Sequence, residues 1–279
     1  MVEAGRTMLG AEQKQWLQAG LAGSPAAWKV LGSQLVFWPF RSERFPDVQA
    51  TAGDGPQRNA GRYLNMTQWD GYQAERRELV DHIAGNGIED VVVISGDSHF
   101  WSAAELPTNW DDPEAPYVLT EFAGASVTSA NGDEMGLSNE LARAVLPGAN
   151  PLYLRYVEVA SNGYGLLELD RARLTVSYIT PATISEPEAP SSVLARFEVD
   201  RGTSRVRFVS GDRAGFLPRP ADVEPPVEPP PGPGDPGNPG GPGDPGDPGG
   251  PGDPGGPGGP GGPSAPPASP IDADAAFTG

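Results

Sequence analysis

The chain has 279 residues, 38 of them Gly and 33 Pro, and a net charge of −18. Nine acidic residues and no Lys or Arg follow Arg219, so half of that charge belongs to the stretch after it. Neither part has the basic footprint of bulk polyanion binding, and the absence of cysteine excludes disulfides, thiolate nucleophiles and zinc-thiolate sites.

A phosphorylated substrate stays open, because bound cations reverse the local sign of charge. No uninterrupted apolar stretch is long enough to span a bilayer. Met1 to Arg6 has neither the basic start nor the apolar segment of a signal peptide.

Residues 9–21 read as a helix, with Leu9, Gln13, Trp16, Leu17 and Leu21 near one face. Residues 28–38 read as a strand, in which Gly32 and Ser33 mark a bulge or a close backbone approach. Residues 39–68 lack periodicity and read as a long surface excursion carrying Arg41, Arg44, Arg58 and Arg62. Asp70 is placed to cap the next helix, whose inner stripe is Tyr72, Arg76, Leu79, Val80 and Ile83. Gly85-Asn86-Gly87 ends that helix, and His82 falls on its solvent side.

Val91-Val92-Val93-Ile94 then runs into Ser95-Gly96-Asp97-Ser98-His99. The apolar run has the composition of a strand buried on both faces, and ligands of open α/β sheets sit past the carboxyl ends of such strands. Gly96 permits a sharp turn. If the chain then stays extended, Asp97 and His99 point the same way. A carboxylate oxygen and an imidazole nitrogen aimed at one point suit a metal. The competing reading makes Asp97 a turn residue and His99 a partly buried, hydrogen-bonded histidine.

Further on, residues 117–122 are strand-like and 123–129 form a small, polar loop. Residues 134–145 look helical. Residues 153–159 and 163–169 read as paired strands joined by the hairpin signal Asn162-Gly163. Residues 173–179, 193–199 and 205–209 continue the β pattern. Helices around buried strands indicate a layered α/β domain over residues 1–217. From Gly234 to Pro263 the chain is ten Gly-X-Pro triplets, so residues 218–279 read as a disordered acidic spacer.

Several blocks, taken in order, resemble one family. They are Arg6-Thr7-Met8-Leu9-Gly10, Trp28-Lys29-Val30-Leu31-Gly32, Trp69-Asp70-Gly71-Tyr72, Gly96-Asp97-Ser98-His99-Phe100-Trp101 through Leu106, Glu121 through Ser129, and Gly163-Tyr164-Gly165. Together they are similar to the C-terminal half of the PhoD-like alkaline phosphatases and phosphodiesterases, of calcineurin-like metallophosphoesterase architecture. The resemblance implies a β-sandwich flanked by helices and cleavage of phosphate mono- or diesters. It also implies iron and calcium as cofactors, with Asp97 and His99 matching the family's last metal-binding motif. Under it, the earlier ligand motifs belong to an N-terminal half outside this chain, an expected partner if separately encoded. An extracytoplasmic location is implied as well. The alternative is a truncated, non-catalytic module of the same fold on its acidic spacer.

Overall fold

Val91, Val92 and Val93 are at most 1% exposed. Successive strand residues face opposite sides, so their joint burial requires cover above and below. The computed structural model, which describes residues 5–41, 63 and 66–219, shows both covers.

The central sheet contains β1 (Lys29–Gly32), β2 (Val91–Ser95), β3 (Trp101–Pro107), β4 (Tyr117–Ala123) and β5 (Leu154–Glu158), in the order β1-β2-β4-β3-β5. β1, β2 and β4 are parallel, and β3 runs antiparallel to β4 and β5. One face packs Val91, Val93, Leu106 and Leu119 against a helical layer. That layer is α1 (Gly10–Gly23), α2 (Gln73–Gly85) and α3 (Asn139–Ala149). The other face packs Val92, Trp101, Phe122 and Tyr156 against Leu174, Val176, Tyr178 and Phe197 of a second sheet.

This second sheet is an antiparallel meander of β6 (Tyr164–Leu169), β7 (Arg173–Pro181), β8 (Ser191–Asp200) and β9 (Val206–Gly211). Tyr178 joins the two sheets. Its ring centroid lies 4.5 Å from Trp101 and 5.4 Å from Phe197, and its hydroxyl donates to Ser102 O. The molecule is thus a helix–sheet–sheet sandwich. Among the described residues no helix is long and apolar enough to cross a membrane.

Several elements differ from the sequence reading. The strand expected over 28–38 stops at Gly32, and a Cβ at Gly32 would meet nothing within 4 Å. Trp16 is 72% exposed on α1, so the inward face rests on Leu9, Leu17 and the buried Leu21. Asp70 caps no helix. It lies buried in a 3₁₀ turn before α2 and accepts from Arg76 at 3.0 Å and from Phe40 N at 3.2 Å. His82 faces α1 rather than solvent, with its Nε2 3.0 Å from Gln18 O. α3 begins at Asn139, where Ser138 Oγ accepts from Leu141 N, and not at 134.

The largest correction concerns Asn162-Gly163. β5 pairs with β3 and β6 with β7, so this dipeptide is a crossover between sheets rather than a hairpin turn. Gly163 has φ +149°, and a Cβ there would lie 1.9 Å from Ile179 O. The close approach to β7 explains the glycine. Arg44, Arg58, Arg62 and the acidic tail lie outside the described residues.

A candidate metal centre at the carboxyl end of β2

β2 ends at Ser95, and residues 96–100 bend back into β3. The chain does not stay extended here. Ser98 N donates to Gly96 O at 2.8 Å, closing a three-residue γ-turn centred on Asp97, whose φ is +67°. This positive-φ form of the γ-turn is rare and strained. His99 follows at φ +57°. Gly96 itself is not among the positive-φ residues, and a Cβ there would meet only an ordinary contact, Gln34 O at 4.0 Å. The unusual backbone therefore falls on the two candidate ligands and not on the glycine.

Each candidate has its own partner. Gln68 Nε2 donates to Asp97 Oδ2 from the turn before α2. His99 Nδ1 lies 2.7 Å from Ala130 O. A carbonyl oxygen only accepts, so Nδ1 carries a hydrogen and Nε2 is the nitrogen left to face a cation. Metal-ligating histidines characteristically have this arrangement. The donor set of Asp97 and His99 therefore fits part of a cation site. Among the described residues, no group of three or more His, Cys, Asp and Glu converges to hold a metal.

Residues the sequence reading passed over hold the loop in place. Asn162, in the crossover, donates to Ser129 O at 2.8 Å. Asn131 donates to Asn162 Oδ1 at 3.1 Å and to Ala160 O at 2.8 Å. These buried amides fix the segment that presents Ala130 O to His99.

Beneath the loop, Glu121 of β4 is fully buried and gathers three donors. They are Phe37 N at 2.7 Å, Trp38 N at 2.6 Å and Ser95 Oγ at 2.6 Å. Burial pushes its carboxyl up to about 7, against the pull of those donors and of Arg76. Arg76 donates to Phe37 O at 3.2 Å. The 37–38 backbone is thereby clamped at its N–H groups by Glu121 and at a carbonyl by Arg76. A lone acidic residue in a strand gave no hint of this, because its partners lie 26 to 84 residues away.

Residues 1–178 match the family model of PhoD-like phosphatases. The chain belongs to this family. It is 28% identical over 209 residues to alkaline phosphatase D of Bacillus subtilis (strain 168), covering 74% of this chain and 32% of that protein. A solved structure of PhoD matches it with a TM-score of 0.60 and 27% identity, over 74% of this chain and 36% of the other. The chain thus spans about a third of the length of these PhoD relatives.

Proposed function

We propose that the loop at Asp97 and His99 is one part of the metal centre of a phosphoesterase that cleaves phosphate mono- or diesters. The observation that carries this reading is the Nδ1 contact of His99 with Ala130 O, which leaves Nε2 available to a cation. In this reading Asp97 supplies a hard oxygen and His99 an imidazole nitrogen, which suits iron or calcium sites of mixed ligands. When bound, such cations supply Lewis-acid polarisation of the phosphoryl oxygen and activation of the attacking water. Gln68 holds Asp97, and Ala130 O holds the ring of His99.

Two donors do not make a binuclear centre, so in this reading further ligands complete it. This chain contributes no cysteine to such a site, since it has none. The second reading, a non-catalytic module of the same fold, is favoured by the absence of a third converging ligand among the described residues.

The test is to incubate the purified chain with iron or calcium salts, then measure bound metal and hydrolysis of p-nitrophenyl and bis(p-nitrophenyl) phosphate. Asp97→Ala and His99→Ala are expected to lose bound metal and any hydrolysis together. Hydrolysis unchanged in both variants would sink the assignment. Metal binding without hydrolysis would favour the second reading.

A further inference from the structure

Arginines cluster at one place on a chain of strongly negative net charge. A groove of about 380 Å³ along β9 and the segment after it is lined by Arg205, Arg207, Arg213 and Arg219, with Asp200 as the carboxylate among its lining residues. This volume falls in the range of small-ligand sites.

Among the described residues, arginines outnumber the carboxylates they meet here. Glu105 of β3 is fully buried. It accepts from Arg155 Nε at 3.0 Å, Arg205 Nη1 at 3.2 Å, Arg219 Nε at 3.0 Å and Val206 N at 2.6 Å. One carboxylate thus faces three guanidinium groups. Asp200 is engaged by Arg173 at 2.7 Å, and Glu198 by Arg173 at 2.9 Å and by Arg207. Among the described residues Arg213 has no carboxylate partner. Its guanidinium lies 4.9 Å from the Phe216 ring centroid and 5.1 Å from that of Phe208. Stacking of this kind holds the guanidinium plane and leaves its N–H edge free to fork onto an oxyanion.

We propose that this groove binds a small, multiply charged phosphate anion, either inorganic phosphate or a phosphate monoester. A monocarboxylate would neutralise only part of the excess charge. A phosphate dianion carries two charges and three oxygens, which suit the guanidinium forks that line one groove. A long polyanion is disfavoured by the groove's small size and by the negative charge of the chain as a whole.

The site is separate from the Asp97 loop. Arg201 and Gly202, in the turn between β8 and β9, bind Asp90, which precedes β2, whereas Asp97 follows β2. The length of β2 puts about 17 Å between those ends. The proposal therefore does not depend on the phosphoesterase reading.

The test titrates the full chain by calorimetry with inorganic phosphate and with phenyl phosphate, in the presence of a metal chelator. Saturable binding is expected for at least one of them, weakening as sodium chloride is raised. Arg213→Ala combined with Arg207→Ala is expected to weaken it at least tenfold, and Arg213→Lys by less. Asp97→Ala is expected to leave it unchanged. Both arginines are exposed, so a thermal melt of the double variant should match that of the parent. Tighter binding of phenyl phosphate would identify the monoester as the ligand, and equal or weaker binding the free ion. No saturable binding, wild-type affinity in the double variant, or loss of binding in Asp97→Ala would each overturn the proposal.

Discussion

Asp97 and His99 both adopt backbone angles that a glycine would reach without strain, and neither position is glycine. Each such residue costs about 1–3 kcal/mol and persists only where the surroundings enforce it. Here Gln68, Ala130 and the Asn131–Asn162 pair do so. Asn162→Ala removes a prop from the segment that orients His99. In the phosphoesterase reading it should lower metal affinity by about 10–100-fold while leaving both candidate ligands in place; calorimetric titration of the metal checks this. Glu121 makes a separate prediction. Its carboxyl is raised to about 7 in the folded protein, against 4.5 as the ordinary value. As pH rises from 4.5 to 7, the unfolded chain releases this proton and the folded chain retains it. Glu121 thus favours the fold below that window and loses up to about 3 kcal/mol of relative stability across it, with no further change above. Urea unfolding at a series of pH values should show this slope, and Glu121→Gln should flatten it.

At the scale of elements, the two sheets meet through the crossover at Gly163. Gly163→Ala brings a Cβ against Ile179 O at an unfavourable φ. It should destabilise by about 3 kcal/mol or more, read as a shift in the urea midpoint. The sequence marked this position but mistook its role. Asn-Gly between two β-patterned runs is a hairpin signal, and nothing local distinguishes a turn within one sheet from a step to another. β2 was legible because three consecutive valines need cover on both faces. β3 was not, since Trp101-Ser102-Ala103-Ala104-Glu105-Leu106 neither alternates nor favours strand, yet every residue of it is buried. The loop after β2 was legible as Gly-Asp-Ser-His, but its γ-turn was not. Buried charge was the least legible of all. Glu105 and Arg155 lie 50 residues apart, and only the fold brings them together. The same holds for His99 and Ala130, 31 residues apart.

At the scale of the whole molecule, the described edge strands are β1 and β5 of one sheet and β6 and β9 of the other. Among the described residues β1 pairs only with β2 and β6 only with β7. Trp28, just before β1, donates to Asp170 O in the β6–β7 turn at 2.7 Å, so the two open edges lie on the same side. Val30, Tyr164, Leu166 and Leu169 are 42–54% exposed there. Open edges with apolar side chains invite further strands. The isolated chain should therefore associate as its concentration rises, and Val30→Lys with Leu166→Lys should suppress this in sedimentation velocity. The crossover at Gly163 has one more consequence. Among the described residues, the strands before it belong to the central sheet, whose members are drawn from residues 29 to 158, while the strands after it form the meander, each paired with the next in the chain. The meander closes only short loops, whereas in the central sheet only β3 and β4 are joined by one that short. Chain-closure entropy therefore predicts that β6 to β9 form before the more non-local central sheet and its strained loop.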